Sequence, residues 1–181
     1  FYIAGGYKYA MTGEGACFLA VPPGCELRPV DTGWYASFQT LSAPAAGPVP
    51  YAEGGLRFWG ATFDASGLYR FNAAMDWLAS TGTTIDAVHR HSLSLQKHFL
   101  DGLARLRLPA LPVGSLVPPV EVARGNFLAF EVEGAEALHA KIAAAGIIID
   151  RRDRRLRFGF GLYHDAPRVD ELLARLASAL G

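Results

Sequence analysis

The spacing of apolar residues changes along the chain, and each change marks an element. Residues 1–4 and Ala16-Cys17-Phe18-Leu19-Ala20-Val21 are short apolar runs bounded by glycine and proline, which predicts two buried strands. Between them, Gly5, Gly6, Gly13 and Gly15 predict tight turns with close backbone approach. Residues 40–56, rich in Pro, Ala and Gly, predict a long irregular loop. After Ser66-Gly67 the period becomes helical, with Leu68, Phe71, Met75 and Leu78 on one stripe and Gly82 closing it. Thr83 or Thr84 can cap a second helix with the stripe Ile85, Val88, Leu95, Phe99 and Leu103, Ser92 filling one place. At about 1.5 Å per residue this helix reaches about 30 Å, a length that suits a bridge between domains.

Pro109, Pro112, Pro118 and Pro119 then interrupt the chain and predict a boundary, dividing it into 1–105 and 106–181. Beyond it, Leu128, Phe130 and Val132 alternate with Glu131 and Glu133 as in a half-buried strand. A helix follows from about Ala135 to Ala145, with Gly146 at its end. Ile147-Ile148-Ile149 predicts a buried strand, and Leu156, Phe158, Phe160 and Leu162 the inner face of another. The last helix starts after Asp165, with Pro167 in its first turn and Val169, Leu172, Leu173, Leu176 and Leu180 inward. The order β-α-β-β-α predicts a small two-layer α/β domain.

Composition narrows the function. The chain is 51% hydrophobic and 19% charged, enough to bury a core. Its 17 basic and 17 acidic residues cancel, which gives no footprint for nucleic acid or an acidic membrane. No apolar run approaches the roughly 20 residues of a membrane span. Cys17 and Cys25 form no C-x-x-C pair and too small a set for a disulfide framework, so a reduced, cytoplasmic setting is expected. The chain opens without methionine directly on a strand, which predicts a fragment or processed product.

Two residues stand where chemistry is expected. Lys8, between Tyr7 and Tyr9 in the glycine-rich turn, lies at a strand end, where α/β ligand sites collect. Apolar surroundings would favour its neutral amine and a Schiff base; the plainer reading is a lysine reaching water along an apolar stem. Arg157 shares a strand face with Gly159, Gly161 and Tyr163, so two glycines leave space beside a guanidinium able to hold a carboxylate two-pronged. The plainer reading is a solvent-facing arginine on an edge strand. Thr62, ahead of the Ser66 helix, could meet a phosphate, although a turn threonine is commoner. Trp34 reads first as packing. The five histidines have no spacing that makes a metal site.

Taken in order, these segments resemble the C-terminal half of the class V aminotransferase and kynureninase group of fold-type I enzymes dependent on pyridoxal phosphate (PLP). Gly6-Tyr7-Lys8-Tyr9 with Gly13-Glu14-Gly15-Ala16 resembles the cofactor-lysine segment. Thr32-Gly33-Trp34-Tyr35 resembles the Gly-Trp segment of kynureninase, and Arg57-Phe58 through Thr62 the stretch before the bridging helix. Leu156-Arg157-Phe158 and Asp170 to Leu180 resemble the small domain. The resemblance implies an α/β fold: the remainder of the PLP-binding large domain over 1–105 and a small α/β domain over 106–181. It also implies a Schiff base of PLP on Lys8, cofactor contacts from Trp34 and Thr62 (the latter across a homodimer), and a substrate amino acid held by Arg157.

The chain departs from the pattern in places. Ala36-Ser37-Phe38 stands where kynureninase-like chains carry a histidine, and Thr62 near their asparagine. Residues 106–181 hold no cysteine, unlike the small-domain loop of desulfurases. The family's phosphate loop, ring-stacking aromatic and pyridine-pairing aspartate belong before Phe1, so the 181 residues are expected to be inactive without that N-terminal half. Two other readings stand beside this one: a non-catalytic α/β interaction module that has lost cofactor binding, and a lysine-imine enzyme without PLP.

Overall fold

A computed structural model describes residues 1–43 and 47–181; residues 44–46 of the expected loop lie outside the described residues. The chain divides into two units, Phe1–Gly82 and Thr83–Gly181.

The first unit begins with β1 (Tyr2–Gly5) and β2 (Cys17–Ala20), paired antiparallel from Tyr2↔Ala20 to Gly5↔Cys17. Two 3-10 helices follow, Trp34–Thr40 and Gly54–Phe58, and then α1 (Ser66–Ser80). The expected burial of β1 and β2 is not found. Tyr2, Ile3, Phe18 and Leu19 are all exposed, because the ribbon has two strands and, among the described residues, neither face is covered. A two-stranded ribbon gains little stability by itself.

The second unit runs α2 (Ile85–Leu106), β3 (Phe127–Glu131), α3 (Ala135–Ala144), β4 (Asp150–Arg152), β5 (Arg155–Gly159) and α4 (Ala166–Leu180). After α2 this is the expected β-α-β-β-α order. The strands form an antiparallel sheet in the order β3-β5-β4. Alternation turns Leu128, Phe130, Leu156 and Phe158 to one face, where they join Phe99 and Leu103 of α2, Ile142 of α3 and Leu176 of α4 in one core. Phe99 packs against Phe158 in a tilted pair with ring centres 5.2 Å apart. Each such side chain contributes about 1.5–3 kcal/mol by leaving water.

The expected threonine cap forms at Thr84, and the last helix starts after Asp165 as expected, with that residue as its cap. The Thr84 hydroxyl accepts the N–H of Ala87 at 3.1 Å, and the Asp165 carboxylate accepts that of Arg168 at 3.0 Å. The strand expected over Ile147–Ile149 is displaced. The Ile147 N–H donates to Ile142 O, and Gly146 turns at φ +72°, so these residues are still leaving α3. Ile147 is buried, Ile148 is 99% exposed, and strand pairing begins only at Asp150.

Candidate functional site

Lys8 lies in the link between β1 and β2, and a buried threonine organises that link. The Gly6 N–H donates to Ala16 O at 2.6 Å; Thr12 returns both its N–H (3.0 Å) and its hydroxyl (2.8 Å) to Gly6 O. A Cβ on Gly6 would stand 2.4 Å from the Thr12 hydroxyl, so glycine is required. Lys8 O then accepts the Met11 N–H at 3.0 Å, lifting Lys8 to the outside of the turn. Lys8 is exposed, with its amine 5.2 Å from the centre of the Tyr7 ring. The apolar enclosure expected around this amine is not formed within this unit. Among the described residues no carboxylate lies within ion-pair distance of it. Helix α1 braces the turn: a Cβ on Gly67 would stand 2.5 Å from Gly15 O, and the Arg70 guanidinium donates to Glu14 O.

The same unit brings Trp34 and Thr62 into neighbouring segments. A Cβ on Gly33 would stand 1.9 Å from Gly60 O, and the Tyr35 N–H donates to that oxygen at 3.4 Å. Around this contact Trp34 meets Tyr35 at 5.3 Å, Tyr35 meets Trp59 at 4.9 Å, and Trp59 meets Phe63 at 5.2 Å. Trp34 is half exposed and Thr62 exposed. The anion position at the start of α1 is filled by Asp64, whose carboxylate accepts the Ser66 hydroxyl (2.6 Å) and N–H (2.9 Å). Those bonds hold the Asp64 carboxyl below its ordinary range.

Arg157 belongs to the second unit. Its Nε donates to Asp150 Oδ2 at 2.6 Å, and its Nη2 donates to the same oxygen. Arg152 Nε is 3.3 Å from that oxygen, and the Phe127 ring centre is 5.4 Å from the Arg157 guanidinium. Burial raises the Asp150 pKa, but the Arg157 hydrogen bond and the charges of Arg157 and Arg152 outweigh it, leaving the group below its ordinary range. Of the two glycines expected to leave space, one does. A Cβ on Gly159 would meet nothing within 4 Å, whereas one on Gly161 would stand 2.6 Å from the Tyr163 ring.

Asp150 is the partner of Arg157 that spacing alone does not show. Elsewhere in this unit a groove of about 450 Å³ lies between residues 146–149, the end of β5 and α4, without Arg157 in its lining. Among the described residues no group of three metal-ligating side chains occurs.

No family profile and no curated protein matches the chain. Solved structures do match. The apo cysteine desulfurase of Thermococcus onnurineus NA1 superposes with a TM-score of 0.60 and 17% identity, over 73% of this chain and 35% of its own. The cystine C-S lyase C-DES, solved with its reaction product cysteine persulfide, gives 0.62 and 22%, over 84% of this chain and 39% of its own. At such identities the likeness shows the fold alone. That fold is mixed α/β, and the likeness does not point to the kynureninase-like branch. The chain spans little more than a third of the length of these structures.

Proposed function

We propose that the chain is the C-terminal portion of a PLP-dependent enzyme of the class V aminotransferase family, a transferase or lyase acting on an amino acid. The observation that carries this reading is Lys8 on a turn fixed by buried Thr12 and braced by α1, in a fold shared with a desulfurase and a C-S lyase. Bound PLP would supply an electron sink for cleavage at the substrate's α-carbon. Lys8 fits such a group, since its amine is accessible and its backbone is held in place. Lys8 would hold the cofactor and afterwards carry the substrate's proton; Trp34 and Thr62 would approach the phosphate, Thr62 across a homodimer. Arg157 would take the substrate's α-carboxylate.

Lyase chemistry is favoured over a desulfurase relay, because residues 106–181 contain no cysteine to carry sulfur. The kynureninase-like variant is supported by the Gly33-Trp34 likeness and by a lysine segment that it shares with its class V relatives. The complete enzyme would be cytoplasmic, and the 181 residues inactive without its N-terminal half.

The test is borohydride reduction of the chain with added PLP, followed by peptide mapping. Label on Lys8 well above Lys97 and Lys141 is the expected result. Equal labelling of all three would overturn the reading. It would favour a non-catalytic α/β module, which the exposure of Lys8 also suits.

A further inference from the structure

Asp150 and Arg157 are direct cross-strand partners on β4 and β5. The Nε and Nη2 edge of a guanidinium is an edge that receives a carboxylate two-pronged. Here that edge is already engaged, with both nitrogens converging on Asp150 Oδ2. We propose that Asp150 is a built-in competitor for the carboxylate site of Arg157, a positioning residue that aims the guanidinium and yields to an incoming acid group. This rests on the reading of Arg157 as the carboxylate anchor.

Three observations carry it. The pair is accessible, with side-chain exposures of 31% for Arg157 and 45% for Asp150, and ion pairs at that exposure are weak enough to exchange. Arg152 Nε stands 3.3 Å from the same oxygen and gives Asp150 a second cation when it leaves Arg157. The space for a ligand is present: Gly159, on the same strand face, has nothing within 4 Å of a Cβ position, and the Phe127 ring forms an apolar wall beside the guanidinium. The class of ligand that fits is a small carboxylate with a short body lying over Gly159. Its acid group exchanges one carboxylate for another at Arg157, so the local charge balance changes only by the ligand's own charge.

The experiment titrates the isotope-labelled chain with sodium acetate and follows the Arg157 Nε–Hε resonance, assigned by its loss in Arg157→Lys. Sodium chloride at equal ionic strength is the reference. Asp150→Asn is expected to bind acetate more tightly than the native chain, by up to about five-fold, the size of an exposed ion pair. The backbone resonances of β5 report whether β4–β5 pairing survives, and Asp150→Ser replaces the asparagine variant if it does not. Equal affinity in the native and substituted chains overturns the competitor role and leaves the anchor standing. Absence of any acetate effect at Arg157 in both chains overturns the anchor itself.

Discussion

Gly33 and Gly60 touch backbone to backbone, and no side-chain rotation can relieve a methyl group placed between them. Gly33→Ala is therefore expected to part the Trp34 and Trp59 segments and to cost about 1–3 kcal/mol within the first unit. Loss of the near-UV circular dichroism of the aromatic group would show it. Gly114→Ala, which meets nothing within 4 Å, serves as the silent comparison. Single residues also show how far the sequence could be read. The glycine-rich turn and the outward face of Arg157 follow from spacing alone, and both are found. Thr12 gave no signal, because a threonine among glycines is ordinarily exposed, and only the closed turn shows it buried against Gly6. Asp150 was hidden for a related reason. Three isoleucines drew the strand to 147–149, while pairing with β5 starts three residues later, and register sets the partner of Arg157.

Among the elements, α2 shows where periodicity succeeds and where it stops. Its stripe was legible: Leu95, Phe99 and Leu103 are buried as expected. Ile85 is 73% exposed, since the first turn of the helix lies outside the core. Ser92, the polar gap in the stripe, is buried, and its hydroxyl donates to Phe160 O at 3.2 Å while accepting from Gln96 Nε2 at 3.1 Å. Apolar spacing could mark the gap but not the carbonyl that fills it. Ser92→Ala removes a donor and an acceptor from a dry site, so a loss of about 1–3 kcal/mol is expected, measured as a lower urea midpoint with an unchanged m-value. The β1–β2 ribbon fails in the opposite sense. Its runs have the composition of buried strands, but burial depends on what covers a strand, which local pattern does not contain.

At the scale of the whole molecule, the extended apolar cluster lies in the second unit, from Leu95 to Leu176, while the buried hydrophobics of the first unit among the described residues are Ala16, Ala36 and Leu78. Amide exchange should therefore be slowest in α2, β3, β5 and α4 and markedly faster across Phe1–Gly82; uniform protection would contradict this division. The second unit should also weaken in mild acid, for a reason that can be traced to one side chain. Burial holds the His164 pKa below its ordinary 6.5, helped by the charges of Arg168 and His91 and opposed by that of Asp165. In the folded state its Nδ1 accepts the Gly161 N–H at 3.0 Å, which needs that nitrogen unprotonated. The unfolded chain takes up the proton first as pH falls. The stabilisation is thus complete above about pH 6.5 and is lost as pH falls from there through the folded-state value. Asp150 adds a second loss only further down, below the ordinary carboxylate range. His164→Asn keeps an acceptor for Gly161 but cannot titrate. Its urea midpoint should fall less between pH 7.5 and 5.5 than that of the native chain, and an equal fall would assign the acid sensitivity to other groups.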